Sequence, residues 1–107
     1  MQSYSAPLND MKFIIEDFLN SGAADTLFKQ NDIEIEDFNF ILDESSKFCE
    51  EILLPLNQSG DKEGCTFEKG KVKTPKGFKD AYKQFVESGW QGAALDQKYG
   101  GQGLPYI

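Results

Sequence analysis

Phe38, Ile41, Leu42, Ser45, Phe48, Cys49, Ile52, Leu53 and Leu56 recur at steps of three and four along the chain. An α-helix returns side chains to one side at that spacing, and the stripe persists for roughly five turns. Asp43, Glu44, Lys47, Glu50 and Glu51 fall on the opposite side. The pattern predicts an amphipathic helix over residues 37–54 with one wet face. Pro55 lacks the amide that an interior helical bond needs, so the helix is expected to stop or kink there, before a polar segment over 57–64.

Two further helices follow from the same periodicity. Leu8, Met11, Phe13, Ile14, Ile15, Phe18 and Leu19 predict one over 8–21, with Asn9 or Asp10 as its cap and Gly22 as its end. Phe78, Ala81, Tyr82, Phe85 and Val86 predict another over 75–88, started by the Thr74 hydroxyl and Pro75 and ended by Gly89. Between the first two, Leu27 and Phe28 suggest a short turn in a connector. The runs Cys65-Thr66-Phe67-Glu68 and Lys71-Val72-Lys73 flank Lys69-Gly70 and predict a small hairpin over 65–73. The expected class is all-α with that hairpin, a partial helical bundle in one domain over 1–107. The apolar ending Leu104-Pro105-Tyr106-Ile107 carries the further expectation that the domain is truncated there.

Composition narrows the function. Eleven basic and 18 acidic residues leave a formal charge of −7, the wrong sign for neutralising nucleic-acid phosphates or an anionic membrane. Apolar runs are too short for a membrane span or a secretory leader, and a cytoplasmic protein is expected. Histidine is absent, which removes Ser-His-Asp and Cys-His catalysis and imidazole metal sites. Cys49 and Cys65 lack a metal-binding spacing and are expected as reduced thiols.

Other constellations favour ordinary readings. Asn57, Ser59, Asp61, Glu63 and Glu68 have the spacing of calcium-loop ligands, but Lys62 stands where the sharp-turn glycine belongs, so a solvated acidic turn is the better reading. Gly100-Gly101-Gln102-Gly103 lacks both the Lys-Ser/Thr of a phosphate loop and a preceding strand. The acidic runs Glu34-Ile35-Glu36-Asp37 and Glu50-Glu51 read as solvated rather than catalytic. Phe13, Phe18, Phe38, Phe48, Phe78, Phe85 and Trp90 read as core before they read as a ligand pocket.

Taken in order, several segments resemble the N-terminal helical domain of the acyl-CoA dehydrogenase family. They are Tyr4-x-Ala6-Pro7-Leu8-x-Asp10-Met11 with Phe13, Phe48-x-Glu50-Glu51, Pro55-Leu56-Asn57 and Gly60-Asp61. Thr74-Pro75-x-Gly77-Phe78-Lys79-x-Ala81-Tyr82, Gly89-Trp90-x-Gly92 and Tyr99-Gly100-Gly101-x-Gly103-Leu104-Pro105 complete the set. The opening motif and the Thr-Pro-x-Gly-Phe segment look most like the longer branch that includes 3-(methylthio)propionyl-CoA dehydrogenases.

The resemblance implies a three-part enzyme that encloses FAD, oxidises the α,β bond of acyl-CoA thioesters in fatty acid metabolism and passes electrons to an acceptor. The family's catalytic glutamate and main flavin contacts lie outside a segment of this kind. No catalytic, cofactor-binding or metal-binding residue is therefore carried over, and Glu50, Glu51 and Glu87 are not promoted to the base. The chain would form part of the acyl-pocket wall and a packing surface, with Tyr99, Gly100, Gly101, Gly103 and Leu104 as the loop nearest that pocket. Alone it is expected to be inactive, free of FAD and prone to self-association. The alternative reading is a free-standing acidic helical module that binds other proteins.

Overall fold

A computed structural model describes residues 3–19 and 32–106. Helix α1, Leu8–Phe13, runs into a π-helical turn at Ile14–Phe18. Helix α2, Ile35–Lys47, continues through a second π-helical turn, Phe48–Leu53, into α3, Leu54–Glu63. Strands β1, Thr66–Glu68, and β2, Lys71–Lys73, precede helix α4, Phe78–Glu87, and two short 3-10 turns follow at Trp90–Gly92 and Gln97–Tyr99. The architecture is mostly helical with one small antiparallel ladder, as the periodicity predicts. The Gly22 stop and the Leu27–Phe28 turn fall outside the described residues.

Polar contacts set the register of α1 against α2. The Lys12 ammonium lies 2.8 Å from Asp43, Asn39 donates to Glu16, and the Ala6 amide donates to Glu50 Oε1 at 3.0 Å. As one member of each pair climbs the first helix, the other descends the second, so the two run antiparallel. Ile15 and Phe38 are buried at the contact, with Leu19, Ile33, Ile35 and Leu42 packed around them.

One expected cap is absent and two expected boundaries move, each for a local reason. Leu8 opens α1 after Pro7, without a side-chain cap from Asn9 or Asp10. α2 starts at Ile35, two residues before the expected 37, because Glu34 and Asp37 form a reciprocal capping box. The acidic run 34–37 is thus a helix start. Pro55 does not stop the rod: the wide turn at Phe48–Leu53 shifts the bonding register, and proline falls in the first turn of α3, where an amide donor is dispensable. The segment expected to be a polar loop over 57–64 is therefore helical as far as Glu63.

The hairpin matches its expectation and gains a mechanism. Lys69 and Gly70 both have positive φ, 51° and 77°, the pairing that suits the strand twist in a two-residue turn. Thr66 faces Lys73, Phe67 faces Val72 and Glu68 faces Lys71. Thr74 and Pro75 do not start the next helix. Gly77 is its N-cap, and the Thr74 hydroxyl oxygen is buried without a hydrogen-bond partner. The helix ends as expected, with the Gly89 amide bonded to the Val86 carbonyl at 3.0 Å.

α3 and α4 meet through a glycine. A Cβ on buried Gly60 would lie 2.4 Å from the Phe78 ring, so the ring occupies the space a larger residue would need. Beyond this contact the layer is thin. Ile15, Phe38 and Ala81 are the buried apolar residues among those described, while Phe13, Phe18, Phe40, Leu53, Phe67, Phe78 and Tyr82 are exposed. The expectation that the aromatic residues form a core therefore fails for Phe13, Phe18 and Phe78, and holds fully for Phe38. An accessible surface of 8195 Å² compares with about 6,000 Å² for a compact 12 kDa monomer. The radius of gyration, 17.5 Å, compares with about 13 Å for a compact chain of this length.

The clasp at Glu50 is pH-sensitive. The Ala6 amide, then the Ser46 hydroxyl at 2.9 Å, hold the Glu50 carboxylate below its ordinary value of 4.5. A carboxylate with a lowered folded pKa contributes stability that is present above its unfolded value and lost as pH falls through the folded one. The Ala6 amide resonance is expected to titrate with a midpoint below 4.5 and to lose that transition in Glu50→Gln. An Ala6 amide indifferent to pH in the native chain contradicts the clasp.

Candidate functional site

Among the described residues, a mainly apolar groove of about 520 Å³ lies between the rod and α4. Its walls come from Tyr4, Cys49, Leu53, Leu56, Phe78 and Phe85, joined by Leu54, Asn57, Ala81 and Tyr82. The π-helical turn turns Cys49 and Leu53 toward α4, while the Gly60–Phe78 contact fixes how closely α3 and α4 approach. Phe85 sits 6.2 Å from Phe48 and 6.4 Å from Tyr82, ring centre to ring centre, so aromatic contacts brace one end. The size suits a small ligand or an inserted side-chain cluster.

The groove can sort apolar from polar matter, but it holds little chemistry. Asn57, the two tyrosine hydroxyls and the Cys49 thiol are its polar side-chain groups. Cys49 is half-buried rather than fully buried, and Cys65 is exposed; both are free thiols. No carboxylate lines the groove. Glu50 is engaged at the N-terminal clasp, and Glu87 lies on exposed α4 with Lys83 3.7 Å away.

The expected pocket-proximal loop stands apart from these walls. None of Tyr99, Gly100, Gly101, Gly103 or Leu104 lines the apolar groove. Gly103 and Leu104 instead border a more polar hollow with Asp32, Asp96, Gln97 and Tyr106. Tyr99 is exposed, with the Lys98 ammonium 4.7 Å from its ring centre.

That loop is also unsuited to cradling phosphate. Its amides are spent internally: Gly100 donates to Gln97, Gly101 to Asp96, Gln102 to Gly92, Gly103 to Leu95 and Leu104 to Ala93. A phosphate nest needs such N–H groups free and convergent. This loop therefore offers no free nest of amides for a pyrophosphate. Asn57, Ser59, Asp61 and Glu63, spaced like calcium ligands, lie along helix α3, and no group of three acidic or cysteine ligands converges among the described residues. No described helix is long and apolar enough to cross a membrane.

Periodicity located Leu53, Leu56, Phe78, Ala81, Tyr82 and Phe85 on the helix faces that meet here. It missed Tyr4, Leu54 and Asn57 as lining residues. Tyr4 lies in an extended segment with no periodic signal; Leu54 and Asn57 come into place because the rod passes through Pro55.

The ordered motifs resemble the acyl-CoA dehydrogenase family, and a comparison against characterised proteins finds similarity to a dehydrogenase of acyl-CoA. The chain is 39% identical over 105 residues to the 3-methylmercaptopropionyl-CoA dehydrogenase of Ruegeria pomeroyi. That match takes in 98% of this chain and 18% of the relative, so the chain spans less than one-fifth of the relative's length. No family model matches the chain.

Gly101 provides a sharp test of the loop geometry. A Cβ there would lie 2.0 Å from the Leu95 carbonyl oxygen, whereas one on Gly92 meets nothing nearer than 3.8 Å. Gly101→Ala is expected to lower the unfolding free energy by about 1–3 kcal/mol, and Gly92→Ala to cost much less. Equal midpoints for the two variants in urea contradict the assigned packing.

Proposed function

We propose that this chain is the N-terminal domain, over 1–107, of an FAD-dependent acyl-CoA dehydrogenase that oxidises the α,β bond of an acyl-CoA thioester. The observation that carries the reading is the 39% identity sustained along 98% of the chain. The open apolar groove supports it, because a layer of a larger enzyme retains apolar walls for the remaining layers to cover. In that role the groove side of α3 and α4 forms part of the acyl-pocket wall and the packing surface. The Tyr99–Leu104 loop is proposed to face the pocket region from the edge. Flavin, catalytic base and electron-acceptor contacts come from other parts of the polypeptide. Within this reading the enzyme works in the cytoplasm on acyl-CoA thioesters of fatty acid metabolism, and the chain by itself is inactive.

The free-standing interaction module is not favoured, since it gives no reason for identity running from end to end with a dehydrogenase. Extending the reading frame past codon 107 and purifying the product tests the proposal. A polypeptide several times 12.0 kDa that holds flavin, and bleaches it on addition of acyl-CoA, is the expected result. The 107-residue chain under the same conditions is expected to show no flavin reduction. A full-length product without flavin or acyl-CoA-dependent bleaching overturns the reading.

A further inference from the structure

Residues 3–7 lead into α1 without a helix or strand of their own. An irregular segment near a terminus keeps its place only where its backbone is tied down. Pro7 caps α1, and the Leu8 amide bonds the Ala6 carbonyl at 2.8 Å, which sets the turn into the helix. Ahead of that turn the tie is Glu50. Its Oε1 accepts the Ala6 amide at 3.0 Å across 44 positions of sequence, and the Ser5 side chain turns to the same carboxylate.

Two further observations give that tie a purpose. Ser46 is a buried polar residue in a chain that buries little, and a buried hydroxyl is costly unless bonded. Its hydroxyl donates to the same Glu50 oxygen at 2.9 Å, one helical turn along, which fixes the carboxylate where the Ala6 amide meets it. Tyr4 stands two residues before Ala6, and two extended residues span about 7 Å. It walls the apolar groove together with Leu53 and with Cys49, the residue next to Glu50. Tyr4 remains 49% exposed, so its ring covers the groove without being held there by burial.

We propose that residues 3–6 are a strap that gates the Cys49 end of the apolar groove, latched by Glu50 at the Ala6 amide and covering the groove with Tyr4. Ser46 is a positioning residue that holds the latch in place. When the latch parts, the strap swings about the turn at Pro7 and lifts Tyr4, while α1 and the rod keep their own contacts through Lys12–Asp43 and Asn39–Glu16. A part-exposed hydrogen bond contributes modestly, so the closed and open positions lie close in free energy, as a gate requires. The gate needs the groove and the latch, not flavin or a particular acyl group, and so stands apart from the enzymatic reading.

Labelling of the purified chain with N-phenylmaleimide, an apolar thiol probe, tests the gate, with exposed Cys65 as the reference. The Cys49-to-Cys65 rate ratio is expected to rise about threefold or more in Tyr4→Ala and in Glu50→Ala. Ser46→Ala leaves the carboxylate in place and is expected to raise it less. The double variant Tyr4→Ala/Glu50→Ala is expected to match Tyr4→Ala alone, because a latch without its cover has nothing left to gate. Far-UV circular dichroism of each variant is expected to match the parent, which keeps unfolding from imitating an open strap. Tyr4→Ala removes only a half-exposed ring, so it carries the test even where a Glu50 variant loses structure. A ratio unchanged in Tyr4→Ala, or effects of the two substitutions that multiply in the double variant, overturns the proposal.

Discussion

Among the described residues, apolar surface is arranged in a single layer, and one layer has no second side to hide against. α1 covers α2 along one edge and buries Ile15 and Phe38, while α4 covers the end of the rod and buries Ala81. Between and beyond these contacts, Leu53, Phe78 and Tyr82 stay in water. At about 25 cal/mol per Å² of apolar area, such exposure forgoes much of the stabilisation that burial supplies. The open groove, the large surface and the extended shape are consequences of that geometry.

With so little buried, polar contacts do work that a core would otherwise do. Lys12–Asp43, Asn39–Glu16 and Ala6–Glu50 bridge the antiparallel helices at successive levels and set their register. Each contributes little in isolation at a wet surface. Together they hold the N-terminal segment where Tyr4 can wall the groove. The π-helical turn at Phe48–Leu53 lets the rod pass Pro55, and the rod carries Leu54, Leu56 and Asn57 into the groove.

Much of this was legible from residue spacing. Three helices, the hairpin with its Lys69-Gly70 turn and the Gly89 stop all follow from periodicity and turn chemistry. Pro55 misled because proline breaks a regular helix, whereas a widened turn before it removes the conflict. Thr74-Pro75 misled because the pair suits a helix start, yet the chain makes one more turn and caps with Gly77. The aromatic stripe was placed on the correct faces, but periodicity says which side is apolar and not whether anything covers it. The ordered motifs carried the family resemblance, which the identity to the Ruegeria pomeroyi enzyme supports. The loop at Tyr99–Leu104 was singled out through the family resemblance, and its amides close the loop on itself.

Cys49 lies inside the groove that the account leaves open, and exposed Cys65 supplies an internal reference. The most direct measurement is the rate of maleimide labelling at each thiol, in the 107-residue chain and in the full-length product. Cys49 in the short chain is expected to label readily, somewhat slower than Cys65, and to become protected in the longer polypeptide while Cys65 changes little. A Cys49 that resists labelling in the short chain until it unfolds would mean that the chain closes its own core, and would contradict the single open layer.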